Sequence, residues 1–257
     1  MRVRLLFVVS LVVGTLLSAC DDVGGGGGNV TPGGFWLSAS SDGDAVFALV
    51  TETGRFHLYT ASNQGTGVLS VSNGNDVSAN FQLVTSLFRF PFKDGTTQAD
   101  CTLSGKLKKR ATMSVIVDCT TTAGLQFQLA AIPFQYIHIY EFSSSLATIA
   151  GLYQTGGPVM DIAADGTIFA QEAFTNCVMN GQVNIIDPAF NLYDFQISYS
   201  NCTGRDADQN GATFVGIGFL LEITNPSPPD SSILLLVNFI GEIDGVLVPL
   251  YISGFQL

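Results

Sequence analysis

Positive charge is scarce in this 257-residue chain: 10 Lys and Arg stand against 21 Asp and Glu, with two His and one Trp. The shortage is uneven. Residues 20–150 hold seven bases and ten acids, whereas residues 151–257 hold one base, Arg205, and eleven acids, for a net charge of −10. So acidic a half is repelled by phosphate backbones and anionic headgroups, which excludes nucleic acid as a partner and argues against its direct contact with lipid. Long apolar runs are missing too. The longest, Leu5 to Leu17, is too short to cross a ~30 Å hydrocarbon core comfortably as a helix. No GxSxG, HExxH or P-loop pattern occurs, so the chemistries those motifs mark receive no support. What is abundant is core-building material: 47% hydrophobic residues, with 19 Phe and 7 Tyr.

The N-terminus reads as an export signal. Arg2 and Arg4 precede the apolar run, and Leu17-Ser18-Ala19-Cys20 resembles the lipobox of bacterial lipoproteins. The resemblance implies cleavage before Cys20 and acylation of its thiol, and several acyl chains hold far more firmly than one. Asp21 matches the enterobacterial signal for retention at the inner membrane, a rule that varies between bacteria, so inner and outer membrane stay open. Gly24 to Gly28 and the residues to 33 form a flexible tether.

Behind the tether the chain repeats itself. Gly34-Phe35-Trp36 and Gly151-Leu152-Tyr153 open two halves, each followed by a strand, a Gly-containing turn and a return strand. Cys101-Thr102-Leu103-Ser104-Gly105-Lys106-Leu107 and Cys177-Val178-Met179-Asn180-Gly181-Gln182-Val183 share a second frame, and the first half reads as longer by an inserted hairpin, Gly67 to Val84. The long runs Thr213 to Ile223 and Ile233 to Ile240 read as strands with both faces at least partly covered. Between the halves, Ser143 to Gly151 has capping serines, a Leu/Ala/Ile run and a terminal Gly, the signature of one or two helical turns. The expectation is all-β: two consecutive antiparallel β-sandwich or small open-barrel modules, 34–142 and 151–257, joined by a helical linker, 143–150, after a signal peptide, 1–19, and a tether, 20–33.

Four cysteines remain beside Cys20, and export predicts two disulfides. Folding 101–119 as a hairpin sets Cys101 against Cys119, Leu103 against Val117, Gly105 against Val115 and Leu107 against Met113, so alternation and bridge agree on one register. For Cys177 and Cys202 the matched faces set Asn201 opposite Cys177. A bulge near Ser200-Asn201, or a strand ending there, repairs the mismatch.

Candidate chemistry is sparse. His57 lies between Phe56 and Leu58, and His138 between two strand isoleucines; without converging partners both read as structural. Lys106, Lys108, Lys109 and Arg110 cluster at a hairpin tip, either a docking spot for an acidic partner or for lipid headgroups, or a solvated turn. Asp206, Asp208 and Asn210 begin a calcium loop with Gly211 in sixth place, but Ile217 stands where the bidentate Glu belongs; an ordinary Asp/Asn/Gly loop explains them equally. No other cofactor is expected. The C-terminal strand, ending at Leu257, reads as soluble rather than as part of an integral outer-membrane barrel, given the lipobox and the disulfides.

The Gly-Trp start, the link Ser144 to Tyr153, the Asp-Gly hairpin and the Cys-x-x-Asn-Gly frame together resemble a group of proteobacterial envelope lipoproteins. The resemblance covers most of residues 34–240, implies export and a tandem β architecture, and brings no catalytic residue. The expected function is non-catalytic: binding, scaffolding or inhibiting an envelope protein partner from a lipid anchor facing the periplasm. A lipocalin-like carrier of a small apolar ligand and an envelope hydrolase with a carboxylate pair are the alternatives.

Overall fold

The computed structural model describes residues 30–39, 45–60, 62–85, 91–226 and 229–257. The signal peptide, Cys20 and the glycine run of the tether lie outside the described residues. In chain order the first unit comprises β1 (Gly34–Ala39), β2 (Ala45–Val50), β3 (Arg55–Tyr59), β4 (Asn63–Val68), β5 (Ser70–Ser72), β6 (Asp76–Thr85), β7 (Gln98–Lys108), β8 (Thr112–Thr121) and β9 (Gln126–Ile137). A 3₁₀ turn, His138–Glu141, and a short helix α1, Leu146–Ile149, lead to the second unit. It comprises β10 (Gly151–Thr155), β11 (Val159–Ile162), β12 (Thr167–Gln171), β13 (Val178–Ile185), β14 (Tyr193–Ser200), a 3₁₀ turn Gly204–Gln209, β15 (Thr213–Pro226), β16 (Pro229–Ile243) and β17 (Val246–Gln256).

Both units are antiparallel, and both close. In the first, β1 pairs with β9 and β4 pairs with β6, completing an eight-stranded ring with β5 as a short edge. In the second, β10 to β17 form a closed barrel in simple sequence order. The expected all-β pair of modules is present, and closure decides for barrels. The reason is in the faces: strict alternation sends one set of side chains inward on every strand, and a ring buries that set without leaving edges.

The repeat is visible in hydrogen bonds. Trp36 Nε1–H donates to the Pro32 carbonyl at 3.2 Å, and the Tyr153 hydroxyl donates to the Ile149 carbonyl at 2.7 Å, each four residues back from a fully buried ring. Gly54 N–H bonds Thr51 O and Gly166 N–H bonds Ala163 O, both at 2.9 Å, while Leu69 and Val183 donate to the Gly54 and Gly166 carbonyls at 2.8 Å. Gly54 (φ +90°) and Gly166 (φ +85°) take the left-handed geometry that these turns need.

This correspondence corrects the proposed insertion. It equates β13 with β4, not with β7, so both barrels have eight strands and Gly67 to Val84 supplies regular members of the first. The cysteine frames therefore sit on different strands of their barrels, the sixth and the fourth. What they share is local. Gly105 and Gly181 face inward where a Cβ would collide with the Ser114 and Gln196 carbonyl oxygens of the neighbouring strand.

Cys101 and Cys119 are directly paired across β7 and β8 and disulfide-bonded, with Leu103, Gly105 and Leu107 opposite Val117, Val115 and Met113. Cys177 and Cys202 form the second bridge. The register of β13 with β14 sets Val178 opposite Ser200, and the mismatch is resolved by the strand ending there: Asn201 turns left-handed (φ +58°) and swings Cys202 back. His138 is not a strand residue. β9 ends at Ile137, and His138 opens the 3₁₀ turn with its side chain 80% exposed, 3.3 Å from Glu141.

The barrels pack side against side. Phe35 meets Phe219 with ring centroids 4.7 Å apart, Tyr59 stacks on Tyr251 at 4.8 Å, and Arg55 pairs with Asp194 at 2.8 Å. Outward residues of the first barrel such as Leu49, His57 and Val84 are buried, which alternation alone would leave in solvent. Gln64 and Asn238, outward on β4 and β16, are buried with unpaired side-chain oxygens, at a cost of roughly 1–3 kcal/mol each. Asn191 ties the link to this seam, accepting from Leu220 N–H and donating to Leu220 O at 2.7 Å and Ile139 O at 3.3 Å.

Candidate ligand pocket at the mouth of the second barrel

The two ends of the second barrel are unlike. One is stoppered by α1. Ser145 caps the helix by accepting from Thr148 N–H at 3.0 Å, Ile149 is fully buried, and Leu146 reaches over the turn at Gly166. Tyr153 and Tyr193 hydroxyls hold the stopper from below, at Ile149 O and Ser145. Tyr193, Phe195, Phe214, Leu235, Val237 and Phe239 fill the barrel behind the stopper.

The opposite end is open. β10 and β17 pair over only three residue pairs, Tyr153 to Thr155 with Gln256 to Gly254. Beyond them β17 continues from Ser253 back to Leu250 beside the Gly156-Gly157-Pro158 turn. The seam parts there, because a five-residue strand cannot follow an eleven-residue one. The result is a cavity of about 370 Å³, within the ~300–1,000 Å³ span of small-molecule sites. Met160, Ala170, Met179, Leu250 and Ile252 give it an apolar wall.

Its rim is polar and acidic. Glu172, at the end of β12, accepts from Phe174 N–H at 3.2 Å and leans over the turn, with its Oε2 3.2 Å from where a Gly157 Cβ would stand. Asp206 and Gln209 reach it from the 3₁₀ turn, which the Cys177–Cys202 bridge and the Thr203 bonds to Thr175 O tie to the loop after β12. Tyr199 lies between floor and rim; burial, with the Asp206 charge as the lesser cause, pushes its phenol up to about 12, so it stays a neutral donor. Phe174 stands on the rim loop between β12 and β13 with 94% of its surface exposed.

A larger concavity, about 950 Å³, lies on the outer face of the first barrel between Asn80, Gln82, Asp100, Thr102, Asp118 and Thr120. It is wide open and most of its lining side chains are polar, with Asp118 engaged by Gln128 Nε2–H at 2.6 Å. The mouth is smaller but has apolar depth and a charged edge together, which makes it the stronger ligand site.

The sequence-derived candidates fall elsewhere, with one exception. Of the basic cluster, Lys106 is ion-paired with Asp76, and Arg110 pairs with Glu141 at 3.4 Å while lying 5.8 Å over the Phe190 ring. Half of the patch is thus occupied within the chain. Asn210 is a clamp: its Oδ1 accepts from Cys202 N–H and its Nδ2 donates to Cys202 O, both at 2.8 Å. That oxygen is committed to the disulfide turn, and among the described residues no three His, Cys, Asp or Glu side chains are grouped to hold a metal ion. Asp208 is exposed on the same turn. The exception is Asp206, singled out as a calcium-loop residue and found at the barrel mouth.

Sequence reasoning missed the mouth itself. Met160, Ala170 and Met179 are ordinary inward strand positions, and nothing local separates a side chain lining a cavity from one packed in a core. The readable signal was Gly156-Gly157-Pro158, three turn-forming residues between two short strands. Compared with known proteins, the chain matches no family model and no curated protein.

Proposed function

We propose that this chain is a lipid-anchored, non-catalytic binding protein of the bacterial envelope that receives a small apolar molecule in the mouth of its second barrel. The observation that carries the reading is the asymmetry of that barrel: one end closed by α1 and packed aromatics, the other ending in a cavity with an apolar wall and a polar rim. A packed barrel resists deformation, so such a mouth is pre-formed and little ordering opposes binding. The anchor rests on the lipobox at Cys20, which stands apart from the two disulfides engaging the other four cysteines. The tether suits an acidic module that a membrane surface repels. The envelope lipoproteins that the sequence resembles accord with this setting.

Binding is tested with the neutral fluorescent probe N-phenyl-1-naphthylamine. Wild type should enhance its emission saturably. Ala170→Phe, which projects a ring into the cavity, and Ile252→Trp, which fills it from the half-buried wall, should each weaken binding about tenfold or more, with the thermal transition monitored to exclude unfolding. Unchanged binding in two folded variants would sink the reading. An envelope hydrolase with a carboxylate pair is the second reading, because Glu172 and Asp206 share one mouth. It requires turnover of a glycoside or ester probe that Glu172→Gln abolishes.

A further inference from the structure

We infer that the basic hairpin tip of the first barrel, through Lys108 and Lys109, rests on the anionic lipid surface to which the chain is anchored. The inference rests on the reading of Cys20 as the anchor and adds the face that the protein turns to the membrane. Val30, the first described residue, packs against the core of the first barrel, and its N–H bonds Gly74 O in the turn between β5 and β6 at 3.1 Å. The next residue of that turn, Asn75, accepts from Leu107 N–H at 2.9 Å, at the base of the basic hairpin. The chain therefore enters the fold beside this tip. The stretch from Cys20 to Val30 spans at most ~36 Å when fully extended, so the tip cannot stray far from the anchor.

At the tip, Ala111 N–H closes a tight turn on Lys108 O at 3.0 Å, which sets Lys108, Lys109 and Arg110 at the extremity of the hairpin, all exposed. Asp76 engages Lys106 and Glu141 engages Arg110, while Glu52 accepts from the Tyr140 hydroxyl at 3.0 Å. Lys108 and Lys109 have no ion-pair partner among the described residues. Two ammonium groups within a Debye length, ~8 Å, of an anionic surface strengthen contact about fivefold each. That is weak for a free protein, but the anchor makes the contact intramolecular, and a high effective concentration lets it set an orientation. The ligand mouth then faces away from the membrane. β3 starts at the tether end, since Gly34 pairs with Val50 just before the turn into it. Arg55, at its start, meets Asp194 near the α1 end of the second barrel, and Tyr59, at its finish, stacks on Tyr251 of the mouth. Both barrels thus point the same way, with α1 on the membrane side and the mouth on the far side.

The test reconstitutes the acylated mature chain in vesicles of phosphatidylcholine alone or with ~30% phosphatidylglycerol, at ~0.15 M salt. A pulse of the neutral reagent N-succinimidyl acetate labels lysines, and peptide mass spectrometry gives the labelling of Lys108 and Lys109 relative to Lys93. Lys93 is exposed on the connection between β6 and β7, at the opposite end of the first barrel. The relative labelling should fall about threefold or more on the anionic vesicles and recover at ~1 M salt, where the screening length is ~3 Å. Lys106, on the same hairpin, should be protected with them, and Lys108→Gln with Lys109→Gln should remove that protection. Equal relative labelling on the two vesicles overturns the inference and leaves the tip to an acidic protein. Protection of Lys106 that survives in the double variant overturns it too. If the wild-type chain carries no acyl mass and does not float with vesicles, the anchor falls and the inference with it, an outcome distinct from an anchored chain whose tip ignores lipid charge.

Discussion

His57 shows how much a single residue depends on what covers it. It points outward from β3, yet only 5% of it is exposed, because the second barrel lies over that face. Burial, and secondarily the Arg55 charge, lowers its pKa to about 4. Asp194 stands across the seam as the ion-pair partner of Arg55. In the unfolded chain the imidazole titrates near ~6.5, so between about pH 6.5 and 4 the unfolded state binds more protons than the native one. Stability should fall as pH drops through that window, by roughly 3 kcal/mol at most, and His57→Gln should remove most of the fall. Urea midpoints at a series of pH values check this; an equal slope in the variant would show that the imidazole is not responsible. The carboxyls of Asp76, Asp94 and Asp165 are held below their ordinary value by hydrogen bonds. Their contribution is present above the unfolded carboxylate pKa and is lost below it, outside the histidine window.

Among the elements, α1 is the smallest and has a large consequence. Four residues would not hold as a helix in water. Here Ser145 caps the first turn, Ile149 is buried, and Tyr153, on the next strand, bonds the Ile149 carbonyl. Ser145→Ala should cost about 1 kcal/mol by loss of the cap, and Tyr153→Phe about 1–2 kcal/mol by leaving the buried carbonyl unpaired. Hydrogen exchange should show the Thr148 to Ala150 amides opening faster in both variants, with β13 and β14 still protected. Uniform loss of protection over the barrel would mean that α1 is part of its core and not a stopper. The helix was legible from its serines and its terminal Gly151. Its role was not, since capping a barrel requires a barrel to be closed first.

At the scale of the whole molecule, the disulfide register at Cys101 and Cys119 was readable because one alternation had to satisfy bridge and core together. The cysteine frame misled for the converse reason. Gly105 and Gly181 answer the same local demand, close approach to a neighbouring strand, and that demand arises at the sixth strand of one barrel and the fourth of the other. The whole protein also depends on its attachment. Cys20→Ser should shift the chain from the membrane to the soluble fraction, and the mature wild-type protein should carry acyl mass on its first residue. Membrane association of the variant, with no acyl mass on wild type, would remove the anchor from the account.

Period-two alternation, paired cysteines and glycine turns are consequences of covalent geometry and near neighbours, so the linear order of residues was enough to determine an all-β chain in two repeated halves with its bridges. Closure, the burial of His57 between barrels, and the open mouth between β10 and β17 arise from strands far apart in the chain meeting with unequal lengths. No local pattern encodes that mismatch. Tertiary structure alone decided that Met160, Ala170 and Met179 line a cavity and that Glu172 and Asp206 come to its edge.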